Sequence, residues 1–167
     1  MTTRPQLVAI PGYADRAADV HFCGHCAHAA VVEVSDPASR VCGRCGLGLL
    51  IGAPPVLAPS PDDPFLLVDS TLSVCGISAL AETLLGVTET EAVNHHITEY
   101  LVPADAEASG PEDLVNLVIH AARGAGEVHE VVLRPTAEFG IRYWGRIGPC
   151  GPPRAALIVL GDGTGRR

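Results

Sequence analysis

The chain has 167 residues, of which 47% are hydrophobic and 4% aromatic, and its formal net charge is −8. Mean hydropathy is +0.27, which favours a packed core and excludes wholesale disorder. All 11 basic residues are arginine, and the acidic balance argues against a broad phosphate-binding face. No apolar run reaches the ~18 residues that a membrane helix needs, and Met1–Pro5 lacks the features of a secretory signal. We therefore expect a cytoplasmic protein that does not enter a membrane.

The N-terminal third carries a C-x2-C-x15-C-x2-C pattern, formed by Cys23, Cys26, Cys42 and Cys45. This spacing is typical of a site in which four thiolates bind one structural Zn²⁺. Gly24 and Gly43 lie inside the two turns and are predicted to supply the permissive backbone angles that such turns need. Arg40 and Arg44 are positioned to soften the negative charge of a four-thiolate zinc centre.

Two other interpretations of the cysteine pattern are open. Two disulfides would also use four cysteines, but the cytoplasmic prediction disfavours them. A redox-active C-x-x-C would normally begin a helix after a strand, and two such pairs at this spacing are better explained by a metal. His21, His25 and His28 flank the first pair, and each is expected to face solvent rather than replace a cysteine ligand. With four protein ligands the zinc has no open position, so it is predicted to be structural rather than catalytic.

The cysteine pattern is embedded in short predicted strands, Asp19–Phe22, Val31–Val34 and Leu47–Ile51, with a turn at Ser35–Ser39. Gly52–Pro64 contains five prolines and is predicted to be a short, stiff linker, because proline cannot continue a helix or a central strand. The predicted organisation is therefore an N-terminal segment with a zinc ribbon (1–51), a linker (52–64), a second domain (65–161) and a tail (162–167).

The second domain shows clear helix boundaries. Gly86 is a C-terminal stop, and Thr88 and Ser109 each open a capping box. The predicted elements are, in chain order, strands Phe65–Asp69 and Leu72–Ile77, helix Ala79–Leu85, a short helix after Thr88, a helical turn in Ile97–Leu101, a helix from Ser109 to about Arg123, and strands Glu127–Arg134, Phe139–Ile147 and Arg154–Leu160.

Two of the last three strands have informative patterns. In the middle one, Phe139, Ile141, Tyr143 and Ile147 are predicted to face the core, because they alternate with a set predicted to face outward, namely Gly140, Arg142, Trp144 and Arg146. The last, Ala155–Leu160, is apolar on both faces, and such a strand is usually covered on both sides. The outer cover is predicted to be the zinc ribbon, the N-terminal segment or a second subunit.

The order β-β-α-α-α-β-β-β over 65–161 resembles a PAS sensory domain. The stretch Ser78–Gly86, SALAETLLG, is similar to the family's N-P-A-A-E-x-L-L-G helix. Thr90–Ile97 resembles the following E-E-L-x-G segment, and Val102–Asp105 resembles the H-P-x-D turn. Ser78 and Asn94 depart from the residues common in the family. The resemblance implies an α+β chain, in which the zinc ribbon precedes a PAS-like five-stranded antiparallel sheet with helices on one face.

The resemblance also bears on cofactors. Haem-binding PAS domains use a histidine on the long helix, where this chain has His120, but the scarcity of aromatic residues argues against a large planar cofactor. The cysteine motif of covalent flavin photosensors is absent from the helical segment. Cys75 and Cys150 lie in or beside strands and are predicted to be small core residues.

No catalytic motif was found, since the chain lacks G-x-S-x-G, a phosphate-binding loop, H-E-x-x-H and any lysine. We therefore expect a non-enzymatic sensory or regulatory module that acts through protein contact or homodimerisation. One alternative is a PAS sensor that binds haem, at His120, or another small ligand. A further alternative is a zinc ribbon that binds nucleic acid through Arg40 and Arg44, which the acidic balance disfavours.

Overall fold

The structure is a computed structural model, and it describes residues 19–30, 40–104 and 111–162. These residues form a three-stranded and a six-stranded antiparallel sheet, three α-helices and one 3-10 helix. In chain order, the elements are β1 (Val20–Cys23), β2 (Ala29–Ala30), β3 (Leu50–Ala53), β4 (Phe65–Val68), β5 (Val74–Ile77), α1 (Ala79–Leu85), α2 (Glu89–Ala92), the 3-10 helix (Ile97–Glu99), β6 (Leu101–Pro103), α3 (Pro111–Ala122), β7 (His129–Pro135), β8 (Tyr143–Cys150) and β9 (Ala155–Asp162).

The small sheet has the order β2-β1-β3 and belongs to the segment that carries the four cysteines. We call residues 19–30 and 40–53 the ribbon. The third strand was predicted at Leu47–Ile51 but begins at Leu50 and runs through Ala53, because the preceding residues form the turn after the second cysteine pair. The predicted elements Val31–Val34 and Ser35–Ser39 lie outside the described residues.

The large sheet has the order β5-β4-β9-β8-β7-β6. The predicted α+β class, with helices on one face of an antiparallel sheet, is confirmed, but the sheet has six strands rather than five. The additional strand, β6, comes from a segment predicted as part of a helical turn. Only Ile97–Glu99 is helical, while Leu101 pairs with Pro135 and so extends the sheet edge.

Helices cover one face of the large sheet, which we call the inner face. Helix α1 begins at Ser78, whose Oγ accepts hydrogen bonds from Ala81 N (3.2 Å) and Phe65 N (3.0 Å). It ends at Gly86, which has φ of 67°. Both boundaries were predicted. On α3, Leu114 and Val118 are buried against the sheet, as the helical spacing predicted. No helix among the described residues has the length and apolarity needed to cross a membrane.

The central strand β9 is buried on both faces, which accounts for its unbroken apolar run. Three of its side chains join the core under the helices, and three join a second core on the outer face, opposite the helices. The inner set is Ala156, Ile158 and Leu160, and the outer set is Ala155, Leu157 and Val159. The prediction that this strand is covered on both sides is confirmed.

The outer cover is the ribbon. Phe22 of β1 and Phe65 of β4 are both fully buried and meet edge to face, with ring centroids 5.5 Å apart at an angle of 88°. Gly52 and Gly151 exchange two backbone hydrogen bonds, of 3.0 and 2.9 Å, and so link β3 to the end of β8. Of the three covers predicted for the outer face, the ribbon is therefore the one that the described residues show.

The proline-rich segment (Gly52–Pro64) is packed against the large sheet. Its first two residues complete β3, so the linker was predicted to begin too early. Leu57 is fully buried in the outer core together with ribbon and sheet side chains. Arg146 of β8 donates a hydrogen bond to Val56 O and lies 3.7 Å from an Asp63 carboxylate oxygen. The division of the chain into two domains at this segment stays a prediction, but the segment itself is held in place.

Strand β8 starts later than the predicted Phe139–Ile147. Phe139 is 85% exposed and Ile141 is 39% exposed, so the prediction that they face the core was wrong. The strand cannot extend back to Phe139 because Gly140 has a φ of 95°, which interrupts extended backbone. The Phe139 ring lies instead over the guanidinium of Arg134, 4.9 Å from it. Tyr143 and Ile147 pack on the inner core as predicted.

Candidate metal centre

The two cysteine turns have the same backbone construction. Ala27 N donates to Cys23 O (3.0 Å) in the first turn, and Gly46 N donates to Cys42 O (2.9 Å) in the second. Ala27 and Gly46 both have left-handed backbone, with φ of 57° and 69°. Each turn therefore reverses the chain immediately after its second cysteine and directs both of its sulfurs toward the other turn.

The glycines within the pairs have a different role from the one predicted. Gly24 and Gly43 do not have positive φ, because the left-handed residue is the one after each pair. A Cβ on Gly24 would lie 3.0 Å from Ile51 Cδ1, so this glycine permits close packing, whereas a Cβ on Gly43 would have no neighbour within 4 Å. Sequence reasoning had overlooked Gly48, where a Cβ would overlap Cys23 Sγ.

The four cysteine sulfurs form one compact group, with every ligand atom within 4.8 Å of the others. Cys23 Sγ lies 3.6 Å from Cys45 Sγ, and Cys26 Sγ lies 3.9 Å from Cys42 Sγ. Four sulfurs at ~2.3 Å from a tetrahedral zinc would be about 3.8 Å apart. The predicted cluster is thus confirmed, and its size fits a tetrahedral metal ion.

Backbone N–H groups surround the sulfurs. His25 N and Cys26 N lie 3.4 and 3.5 Å from Cys23 Sγ, and Gly48 N lies 3.5 Å from Cys45 Sγ. The N–H groups of Gly48 and Leu47 lower the pKa of Cys45 to about 6. Burial raises the pKa of Cys23 to about 12 and also raises that of Cys26. A bound cation would stabilise the thiolate forms that burial disfavours.

Histidines do not take part in this cluster. Among the described residues, the four cysteines are the one group of three or more metal-ligating side chains whose ligand atoms come together. His28 Nδ1 lies 3.4 Å from an Arg44 guanidinium nitrogen, on an exposed surface. The backbone oxygen of His25 accepts a hydrogen bond from Ala79 N (3.4 Å), which connects the first turn to α1. With four thiolates provided, a tetrahedral ion would have no free position for a substrate.

Gly48→Ala is expected to weaken metal binding strongly, because the new Cβ would displace the Cys23 sulfur. Gly43→Ala is the matched control, since it lies within the second cysteine turn and its Cβ would meet open space. We expect a loss of at least tenfold in zinc affinity for Gly48→Ala and little change for Gly43→Ala, measured by competition with a chromogenic chelator. Equal affinities in the two variants would contradict the close approach of Gly48 to the cluster.

The other predicted site residues lie apart from this cluster. His120 is on the exposed side of α3, whereas the side chains that face the core from this helix are apolar. Its position does not favour the haem hypothesis, which stays a prediction. Cys150 is buried, 3.4 Å from Ala155 O, as expected of a core cysteine. Cys75 is exposed on the edge strand β5, so its assignment to the core was wrong.

A scan of protein-family models gives no match, and neither does a search of curated proteins. Solved structures similar to this one include a PAS domain from Colwellia psychrerythraea, with 20% identity and a TM-score of 0.46 over 62% of this chain and 88% of the other. The PAS domain of an HTR-like protein from Haloarcula marismortui has 15% identity and a TM-score of 0.45 over 64% of this chain and 90% of its own. A domain of a sensor histidine kinase/response regulator from Geobacter sulfurreducens has 10% identity and a TM-score of 0.44 over 60% and 82%.

Because these TM-scores are below 0.5, the fold is described as PAS-like on the order of the strands and helices of this chain alone. The predicted order of strands and helices over 65–161 is present, with one added edge strand. The fold and the site together define a cluster of four cysteines, of a size that fits a metal ion, on a PAS-like α+β domain.

Proposed function

We propose that this chain is a non-enzymatic sensory or regulatory module that acts through protein–protein contact, including contact with a second copy of itself. In this proposal Zn²⁺ at the four cysteines maintains the ribbon, and the ribbon stays fixed on the outer face of the PAS-like sheet. The observation that carries it is the shared outer core, in which Phe22 of the ribbon and Phe65 of the sheet are both fully buried.

Zinc suits the site for chemical reasons. Soft thiolates favour Zn²⁺ over hard cations, and four of them close the coordination sphere. The ribbon has only short strands, and a segment of this size needs a metal or a disulfide to hold its fold. The zinc therefore acts as a scaffold, and any interaction with a partner uses other surfaces of the chain.

One part of the outer face carries apolar side chains that the ribbon leaves exposed. On β7, Leu133 packs on the inner core, so its neighbours Val132 and Arg134 are on the outer face, and Val132 is opposite Trp144 in the register. Phe139 lies over Arg134. Trp144 is 51% exposed and Phe139 is 85% exposed. We call Val132, Arg134, Phe139 and Trp144 the Trp144 patch.

The Trp144 patch has the composition of a contact surface. Aromatic residues and arginine are enriched at the centres of protein interfaces, where they supply most of the binding energy. An aromatic surface with a single basic side chain on an acidic chain is suited to a protein partner or a second copy, whereas phosphate would be repelled by the net charge of −8.

The test is the mass of the chain in solution, measured by static light scattering over a range of concentrations. We expect a dimer that Trp144→Gln converts to monomer. The control is Leu80→Gln. Leu80 is also exposed, by 43%, but it lies on α1, which covers the inner face of the large sheet. A strict monomer of the unaltered chain, or dimers that persist in Trp144→Gln, would contradict self-association through this patch.

The two alternatives have separate tests. A haem sensor would show a Soret band after expression with haem, lost in His120→Ala. A nucleic-acid-binding ribbon would show salt-dependent binding to nucleic acid, and this binding would be lost on changing Arg40 and Arg44, which are both exposed.

The cytoplasmic location of the chain stays a prediction.

A further inference from the structure

A groove of about 400 Å³ lies where the ribbon, the proline-rich segment and the large sheet meet. Its apolar surface is contributed by Pro54, Pro55, Val56, Val128 and Pro149. Pockets that hold ligands typically have volumes of about 300–1,000 Å³, and they form preferentially where separate structural units meet. The groove is therefore large enough for a few side chains of a partner, but not for a folded surface.

Two carboxylates line the groove, one from the ribbon and one from the large sheet. Asp19 immediately precedes β1 of the ribbon, and Glu127 lies just before β7 of the large sheet. Both are exposed. Gly126, which also lines the groove, has a φ of 103°, so the backbone that presents Glu127 takes a conformation that favours glycine. The lining thus combines two negative charges with an apolar surface.

The proline-rich wall is held in a defined position. Leu57 N and Ala58 N both donate to Pro54 O, at 2.8 and 3.0 Å, which closes a turn at the start of this wall. Arg146 donates a hydrogen bond to Val56 O and forms an ion pair with Asp63. Both partners belong to the proline-rich segment, so these contacts attach the segment to β8. The residues that line the groove include no basic side chain. A rigid wall reduces the entropy that binding would cost.

We propose that this groove binds a basic segment of a partner protein, in which an arginine or lysine is flanked by apolar residues. The cationic group would be attracted by the carboxylates of Asp19 and Glu127, and its apolar neighbours would cover the proline and valine surface. The net charge of −8 adds long-range attraction for such a segment and repels a phosphate-bearing ligand. This inference rests on the proposed role in protein contact and names the chemistry of one partner.

The groove also gives the zinc a role in binding. One wall includes Asp19, which precedes β1, and Pro54 and Pro55, which follow β3. Strands β1 and β3 are held in register by pairing such as that of His21 with Gly52. Because the four cysteines fix the ends of these strands, the ribbon wall exists only while the ribbon is folded. Metal removal is therefore expected to abolish binding of the basic segment as well as the ribbon fold.

The experiment titrates the full-length, zinc-loaded chain, labelled with ¹⁵N, with the synthetic pentapeptide Pro-Leu-Arg-Leu-Pro blocked at both ends. We expect amide shifts confined to the groove, at Val20, Val56, Glu127 and Val128. Glu127→Gln and Asp19→Asn should each raise the dissociation constant several-fold. The matched control is Glu138→Gln, which removes the same charge from the exposed turn between β7 and β8 and should leave binding unchanged.

A second control is the same peptide with glutamate in place of its arginine, which should produce no shifts. The proposal is overturned if the arginine peptide gives no shifts, if the glutamate peptide binds equally well, or if the two groove variants bind like Glu138→Gln. The outcome is separate from that for the Trp144 patch, because self-association is measured by light scattering without peptide, and Glu127→Gln is expected to leave it unchanged.

Discussion

Cys42→Ser is expected to abolish stoichiometric zinc binding and to unfold the ribbon. Cys42 is 1% exposed, and its sulfur lies 3.9 Å from that of Cys26, so serine would leave a buried three-sulfur site with a hard oxygen ligand. Structural zinc contributes about 10–16 kcal/mol to the folding of isolated zinc-finger peptides, far more than a short ribbon gains from its own core. Without the ion, Phe22 would leave the outer core and expose the face of the large sheet beneath it.

Cys75→Ser is the matched control, because Cys75 is exposed on β5, outside the cluster. Native mass spectrometry should find one zinc per chain in the unaltered protein and in Cys75→Ser, and none in Cys42→Ser. A chelator should lower the thermal stability of the first two proteins and leave that of Cys42→Ser unchanged. Full zinc retention in Cys42→Ser would show that the four sulfurs do not act as one site.

Phe22→Ala is expected to lower the free energy of unfolding by about 3–5 kcal/mol, the usual cost of removing a buried phenylalanine. Phe22 is 0% exposed and meets the Phe65 ring at 5.5 Å, so its loss would leave a cavity between ribbon and sheet. Urea denaturation followed by circular dichroism measures the change. The matched control, Leu47→Ala, removes a ribbon side chain that is 75% exposed and should change stability by less than about 0.5 kcal/mol.

The edge-to-face contact has its own signature. In a double-mutant cycle, Phe22→Ala and Phe65→Ala should be coupled by about 0.5–1.5 kcal/mol, which is the value typical of aromatic pairs. If Phe22→Ala were no more destabilising than Leu47→Ala, the ribbon would not be packed on the sheet in solution, and the shared outer core would be contradicted.

Local signals in the sequence predicted much of this structure. The cysteine spacing predicted the cluster, since two C-x2-C pairs at this separation are typical of a site in which four thiolates bind one metal ion. Ser78 and Gly86 predicted the boundaries of α1 because capping depends on a few neighbouring atoms. The apolar run of β9 likewise predicted cover on both sides, since an exposed run of this kind would be unstable.

Features that depend on distant partners were not predictable. The proline content of Gly52–Pro64 indicated an extended segment, but not that Leu57 would be buried in a core made by ribbon and sheet. Phe139 and Ile141 continued the alternation of β8, and Gly140 was the one local signal that Phe139 lies outside the strand. The positions of Asp19 and Glu127 at one groove follow from the docking of the ribbon, which no local pattern specifies.

We expect the zinc site, the ribbon and the PAS-like sheet to unfold as one cooperative unit, and a single denaturation experiment tests this. Trp144 is the one tryptophan of the chain and lies in the large sheet, so its fluorescence reports on the sheet, while a chromogenic chelator reports zinc release from the ribbon. The shared outer core predicts that both signals change at the same urea concentration. Zinc release that is complete at a clearly lower urea concentration, with Trp144 fluorescence still native, would contradict the claim.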